Sequence, residues 1–489
     1  MPAVWGKIRA EEILAPIKGS LISGEPDTPI RGISTDSRTL RTGELFWALK
    51  GDTYNGHDFA ARAVEQGAAG VVVEKRGLIE GFSQFGIDSR GSSSRSPVVI
   101  SVDDTLKALG RMAAWWRRMH DLKVVAITGS SGKTTTKEMV SRILEMGART
   151  LKNQGNLNNL IGLPLTLLKL TRDHERAVVE MGMNRPGEIA RLTEIADPDV
   201  GVILNVGMAH LEGLGDLDGV ARAKTELMEK ISPKGVMILN GDDEPLMRRA
   251  SSFTRETITF GLGPGNQVRA TRILGRGQEG TAFHLEYQKR SWPVRIKVPG
   301  LHNVKNALAA AAVGLVMKEP FENIVEGLGR FSGIRGRFML ELLTNGAALM
   351  DDTYNSNPCS LEAALHGVAS MKSPHGRLMV GLGEMMELGD STVQAHRKAG
   401  ERAAKAGAYS LLAMGEHSRE ITEGARAGGM PPERLKIVRS HDEMVKEIGD
   451  TMRQGDLILL KGSRKMGLEK VAEGLRELSL RTAGHASWG

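Results

Sequence analysis

The sequence predicts an α/β protein of three domains: an N-terminal α/β unit, a central P-loop unit on a parallel sheet, and a C-terminal Rossmann-like unit. Three observations predict it. The 489 residues exceed one domain at about 100–200 residues apiece. Short β-branched runs alternate with stretches of helical period along most of the chain, the pattern of parallel sheets covered on both faces. One such run leads into a glycine-rich turn and then a helix, the setting in which such a turn carries meaning.

Composition narrows the class further. Apolar residues make up 40% and charged residues 25%, the balance of a globular rather than a disordered chain. Lys+Arg 65 against Asp+Glu 58 leaves +7, mild basicity that suits anionic small molecules and argues against nucleic acid as a partner. A single cysteine, Cys359, excludes an internal disulfide and fits a reducing compartment. Lys7, Arg9, Glu11 and Glu12 break the N-terminal stretch before a signal-peptide core can form. The longest apolar run, about Ala307 to Met317, is shorter than the ~20 residues a bilayer span needs and reads as a buried Ala-rich helix. A cytoplasmic protein without stable membrane insertion is expected.

The elements follow in order. Residues 1–102 hold apolar runs at Leu45–Leu49, Gly70–Val73 and Val98–Val102, read as strands, and a Ser/Gly-rich stretch, Gly81 to Pro97, read as a mobile surface loop. Residues 103–333 open on a helix: Asp103 and Asp104 mark its start, and Leu106, Leu109, Met112, Ala113 and Trp116 fall at helical spacing to form its buried face. Strands are expected at Val124–Thr128, Ala177–Glu180, Val200–Asn205 and Val236–Leu239, with a helix from about Lys133. Residues 334–489 repeat the alternation, with strands at Leu340–Met350, Leu378–Val380, Ser410–Met414 and Leu457–Leu460. Gly333 and Gly336, in the stretch Phe331 to Gly336, predict a hinge before this last unit.

The glycine-rich turn is Thr128-Gly129-Ser130-Ser131-Gly132-Lys133-Thr134-Thr135-Thr136. Its backbone N–H groups and the following helix N-terminus favour phosphate. Lys133 neutralises β/γ oxygens, and Thr134 places a hydroxyl on Mg²⁺. Ile127 stands where the usual loop has its first glycine, so this is a variant loop; ATP or GTP binding is expected.

Glu180 ends the run Ala177–Glu180, and His210 ends the run from Val202. In a parallel sheet both emerge at the carboxyl edge, beside the phosphate loop, where a carboxylate and an imidazole complete a second divalent site. Lys224 lies within Val220–Leu227 and reads, from its own context, as a solvated lysine on a helix face.

These residues, with several further motifs, resemble the Mur ligase family of ATP-dependent amide ligases. Thr35-Asp36-Ser37-Arg38, Gly43-Glu44-Leu45-Phe46, Leu49-Lys50-Gly51 and Gly56-His57-Asp58-Phe59 resemble its UDP-binding N-terminal domain. Gly155-Asn156-Leu157-Asn158-Asn159, Asp351-Asp352-Thr353-Tyr354-Asn355-Ser356-Asn357-Pro358, Gly383–Gly389 and Lys461-Gly462-Ser463-Arg464 resemble the member that adds a D-Ala-D-Ala dipeptide. Gln154, where a threonine is more usual, and Glu384, where Asp is, depart from that pattern.

The resemblance implies an amide ligase that joins D-Ala-D-Ala to UDP-N-acetylmuramoyl-tripeptide, using ATP and two Mg²⁺ sites, as a cytoplasmic monomer. It implies catalytic roles for Lys133, Lys224, His210 and Arg337, with Lys224 carbamylated. ATP contacts are implied for Gly129, Ser130, Ser131, Gly132, Lys133, Thr134, Thr135, Asn303, Asn306, Arg337 and Asp352, and metal ligation for Thr134, Glu180, His210 and Lys224. Substrate contacts are implied for Ser37, Arg38, Asn156, Asn158, Asn159, Asn355 and Asn357. The competing readings are a folylpolyglutamate synthase-like ligase, a Mur ligase adding a single amino acid, a P-loop switch or ATPase without ligase activity, and a UDP-sugar-binding module.

Overall fold

A computed structural model describes residues 5–51, 53–75, 97–275, 277–371 and 375–486. Of the Ser/Gly-rich stretch, residues 81–96 lie outside the described residues. Three sheets dominate, of five, nine and six strands in chain order.

The central sheet is built around Lys123–Thr128, whose residues from Val124 on are buried. It is flanked in parallel by Arg176–Glu180 on one side and Val200–Ile203 on the other. Side chains alternate across this strand. Val124 and Ala126 join one core with the helices Thr105–Arg118, Gly162–Leu167, Glu188–Ala196 and Leu217–Lys230. Val125 and Ile127 join another with Lys133–Leu144, the Ala-rich helix Leu301–Val316 and Phe321–Arg330. Both faces are therefore covered, which is why the strand reads as an unbroken apolar run.

The far edge of this sheet departs from the expected alternation. Val268–Gly275, Thr281–Tyr287 and Arg290–Ile296 form an antiparallel meander that extends it. The turn between the last two strands is Gln288-Lys289, both at positive φ (47° and 64°). That conformation usually selects Asn or Gly, so the residues gave no turn signal.

In the third unit, Ala348–Asp352, Leu457–Lys461, Leu378–Leu382, Ala408–Met414 and Leu435–Val438 lie parallel in that spatial order. The run Leu340–Met350, expected as one strand, is a hairpin: Met339–Leu342 pairs antiparallel with Ala348–Asp352. Gly346, at φ +80°, makes the reversal between them.

The first unit has a sheet of Val98–Val102, Gly70–Glu74, Leu45–Trp47 and Ile33–Ser34 in parallel, with Ser20–Ser23 antiparallel at one edge. Its helix Ala10–Ile17 buries Ala10, Ile13 and Ile17 in the same apolar core that holds Leu109, Met112 and Trp116 of Thr105–Arg118 and Ile189, Leu192 and Ile195 of the central unit. Asp104 caps the Thr105–Arg118 helix by accepting from Lys107 N at 2.9 Å. Leu106, expected on its buried face, is instead exposed and borders the central cleft.

Candidate active site

Register places the chemistry. Glu180 pairs with Ile127 and Ile203 with Thr128, so the phosphate loop, Glu180 and the segment leading to His210 leave the sheet at one edge. They border a cleft of about 1000 Å³ that the third unit closes from the opposite side.

The phosphate loop is held by side chains around it. Asn205 Oδ1 accepts from Ser131 N at 2.9 Å, and its Nδ2 donates to Ser131 O at 3.1 Å. Ser130 Oγ donates to Gly207 O at 3.0 Å. Gly132 has φ +81°, and a Cβ there would stand 2.4 Å from Asn306 Oδ1, so only glycine fits. Lys133 Nζ donates to Gly129 O at 2.7 Å. Burial holds the Lys133 ammonium below the usual lysine range; Glu180 opposes that shift, and Arg337 adds to it.

Thr134 joins two domains. Its hydroxyl donates to Glu180 Oε2 at 2.9 Å and accepts from Arg337 Nη2 at 3.2 Å. Arg337 also lies over the Tyr354 ring, 3.8 Å from its centroid, which fixes the guanidinium above the loop.

Glu180 is unusually well supported. Asn153 Oδ1 accepts from Glu180 N at 2.9 Å, and Asn153 Nδ2 donates to Glu180 O at 3.1 Å. Buried Lys137 donates to Asn153 O at 2.6 Å. Asn158 Nδ2 donates to Glu180 Oε1 at 2.8 Å.

Lys224 does not read as its sequence context suggested. It is 2% exposed, and among the described residues no hydrogen bond or ion pair engages its amine. Burial and the nearby Lys133 hold it well below the usual lysine range, against a weaker pull from Asp243. Lys224 is thus a buried side chain whose charged form is disfavoured, not a solvated surface charge.

His210 adopts φ 57° and bonds through Nδ1 to Glu387 of the third unit. That bond, the larger cause, holds the Glu387 carboxyl below its usual range, against burial. Among the described residues, no group of three or more His, Cys, Asp and Glu side chains converges as a metal cluster.

The remaining expected site residues divide by what they bond. Ser130, Ser131, Gly132, Lys133, Thr134, Thr135, Glu180, His210, Arg337, Asp352 and Asn355 border the cleft, as do Asn156, Asn158, Asn159, Asn303, Asn306 and Asn357. Several engage their side chains within the protein. Asn159 Oδ1 accepts from Ile161 N and Gly162 N at a helix start. Asn303 Nδ2 donates to Pro299 O at 2.8 Å, and Asn306 accepts from the Thr136 hydroxyl at 3.3 Å. Asn357 caps Pro358–Ala369 and donates to Ser130 O at 3.2 Å. Asp352 accepts from Lys461 Nζ at 2.6 Å and from Phe338 N at 3.1 Å. Buried Lys461 also donates to Asn355 O at 2.9 Å.

Ser37, Arg38, Gly129 and Lys224 stand apart from the cleft lining. Arg38 is exposed and grips Asp36 through Nε (3.0 Å) and Nη2 (2.8 Å), which lowers that carboxyl to about 2. Asn153, Asn205, Lys461 and Glu387 were missed as site residues. Asn205 and Lys461 carried a signal, a polar residue ending or just past a buried apolar strand, and Glu387 and Lys461 lie inside motifs of the resemblance, Gly383–Gly389 and Lys461–Arg464; Asn153 sits in a loop without one.

Comparison with known proteins follows the same division. The Mur ligase family catalytic domain matches residues 29–117, the Mur ligase middle domain 127–314, and the Mur ligase glutamate ligase domain 336–464. The UDP-N-acetylmuramoyl-tripeptide–D-alanyl-D-alanine ligase of Escherichia coli (strain K12) is 35% identical over 461 residues, 94% of this chain and 97% of its own. A crystal structure of MurF from Acinetobacter baumannii superposes with TM-score 0.84 at 34% identity, covering 96% of this chain and 98% of that one. MurF from Thermotoga maritima, solved in complex with ADP, superposes with TM-score 0.80 at 26% identity, covering 92% and 98%.

Proposed function

The chain belongs to the Mur ligase family, and from that premise we propose that it joins D-Ala-D-Ala to UDP-N-acetylmuramoyl-tripeptide at the expense of ATP, forming the pentapeptide precursor of peptidoglycan. The observation that carries the reading is the meeting of Lys133, Thr134 and Glu180 with Arg337 across one cleft. A carboxylate and an amine do not condense unaided in water. The γ-phosphate therefore passes to the tripeptide's terminal carboxylate, and the dipeptide amine attacks the resulting acyl phosphate, releasing phosphate. The protein's task is to bring anions together in a site from which water is excluded.

The loop N–H groups and Lys133 hold the β- and γ-phosphates, and Arg337 adds a positive charge from the third unit. The Thr134 hydroxyl and the Glu180 carboxylate, 2.9 Å apart, form a hard-oxygen pair of the type Mg²⁺ selects. Bound there, Mg²⁺ supplies charge neutralisation and orientation of the phosphates. His210 and Lys224 serve a second Mg²⁺. Lys224 would qualify once its neutral amine has added CO₂ and released a proton, which leaves an oxygen-donor carbamate; its burial beside Lys133 favours the neutral amine that this addition needs.

Residues 1–102, with Ser37 and Arg38, take the UDP end; residues 103–333 take ATP; residues 334–489 complete the site. Asn303, Asn306 and Asp352 lie on the nucleoside side, and Asn156, Asn158, Asn159, Asn355 and Asn357 on the peptide side. Among the described residues no helix is long and apolar enough to cross a membrane. The reading places the enzyme in the cytoplasm as a monomer.

The test is phosphate release from ATP and Mg²⁺ with UDP-N-acetylmuramoyl-tripeptide, with and without D-Ala-D-Ala. Release that needs both substrates, with a product heavier by one dipeptide less water, is expected. Release indifferent to the dipeptide would leave an ATPase; release driven by a single amino acid would move the chain elsewhere in the family. Stripping CO₂ should lower the rate and bicarbonate restore it, with Lys224→Ala insensitive to either.

A further inference from the structure

Non-glycine residues at positive φ are uncommon, and those held there cluster where surrounding contacts over-determine the backbone. Two of them in this chain face each other across a domain boundary. His210, at φ 57°, ends the segment beyond a central strand, and Glu387, at φ 62°, lies in a loop of the third unit. Glu387 Oε2 lies 2.5 Å from His210 Nδ1, and the Glu387 carbonyl accepts from Glu212 N at 3.3 Å.

The loop that delivers Glu387 is itself anchored. His396, fully buried, accepts at Nε2 from Met385 N at 2.9 Å while its Nδ1 lies 2.7 Å from Thr392 O. The Glu384 carbonyl accepts from Ser463 N at 2.8 Å, and the Glu384 carboxylate accepts from His417 N at 3.0 Å. The backbone at Glu384 and Met385, just before the exposed Glu387, is thus anchored on both sides.

An imidazole whose Nδ1–H is held by a carboxylate presents Nε2 as its basic nitrogen. We propose that Glu387 is a positioning residue for His210: it fixes the tautomer that turns Nε2 toward the cleft, and only while the third unit is docked. Docking would then complete two things at once, the positive charge of Arg337 over the phosphate loop and the donor state of His210. This inference rests on the reading of His210 as a metal ligand.

The test measures Mn²⁺ binding by calorimetry to the full chain carrying a non-hydrolysable ATP analogue, alongside ¹⁵N spectra of histidine-labelled protein. Glu387→Ala should weaken Mn²⁺ by about tenfold or more. It should also shift His210 from a single Nδ1–H tautomer to a mixture, and add little to the loss in His210→Ala. Glu387→Gln, which keeps an acceptor oxygen but not the charge, should fall between. If His210→Ala weakens Mn²⁺ while Glu387→Ala changes neither affinity nor tautomer, the proposal is overturned and the ligand reading stands. If His210→Ala leaves Mn²⁺ binding unchanged, the ligand reading itself fails and the proposal goes with it.

Discussion

The two boundaries in this molecule are made of different materials. Between the first and central units the boundary is an apolar core: Trp5 stacks on Trp116 with ring centroids 4.0 Å apart, and Ile13, Ile17 and Trp47 share one cluster with Leu163, Leu192 and Ile195. Arg111 closes the seam by donating to Ile17 O at 2.9 Å and 3.1 Å. Between the central and third units, no buried apolar cluster among the described residues crosses over; the third unit's clusters begin at Phe338. What crosses is polar: Arg337 to Thr134, Asn357 to Ser130, Glu387 to His210, with one edge-to-face ring contact between His302 and Phe338. Apolar burial is worth about 1.5–3 kcal/mol per large side chain, whereas a typical hydrogen bond nets about 0.5–1.5 kcal/mol. One boundary is thus apolar and the other polar, and the proposed catalytic groups straddle the polar one. Gly333 (φ +95°) and Gly336 (φ +75°) stand on the segment that leads across it, where the hinge is expected.

The contrast is exposed most strongly by Trp116→Ala. Removing this fully buried side chain should cost about 3–5 kcal/mol, with the first and central units melting in a single transition in denaturant. Two separate transitions would show that the shared core does not couple them. Next in size is Arg337→Ala, at the polar boundary. Its kcat should fall about 10²–10³-fold, while stability drops by no more than about 1 kcal/mol for the lost stacking on Tyr354. A large loss of stability with unchanged kcat would invert the comparison.

The smallest effect concerns pH. Burial, with Lys461 and His366 nearby, lowers His302 to about 4 from an ordinary 6.5. A histidine freed from the boundary takes up its proton as pH falls below about 6.5, whereas the docked one resists until about 4. The docked state is therefore fully favoured above 6.5 and loses ground as pH falls toward 4. Small-angle scattering should show the particle expanding over that window, and His302→Gln should flatten the response. Expansion on raising the pH instead would contradict the assigned direction.

The sheet strands around the phosphate loop were legible because each carries a buried apolar run, Val124–Ile127, Ala177–Val179 and Val200–Ile203. The antiparallel meander was not, because Gln288 and Lys289 turn a hairpin without the residues that advertise one. Leu340–Met350 reads as continuous only if the Asn345-Gly346 dipeptide, a hairpin signal, is passed over; in the fold Asn345 Oδ1 accepts from Ala347 N at 3.1 Å. At the site, Lys133, Thr134 and Glu180 could be placed from spacing and strand ends alone. Lys224 could not, since nothing local distinguishes a buried lysine on an amphipathic helix from an exposed one. Asn158 shows the opposite limit: its motif is readable, but its bond to Glu180 depends on how a loop folds back over a strand.

The shared core of the first two units makes them a caliper. Under the proposed function, a ligand anchored at one jaw and reacting at the other would be measured by a gap whose opening exposes buried Trp47 and Trp116 to water. An extended peptide gains about 3.3–3.6 Å per residue. A substrate one residue short would leave its carboxylate that far from the phosphate loop, and one residue too long would have to buckle. Under the proposed function, length selection would then reside in the apolar boundary, leaving the polar one to bring in the amine.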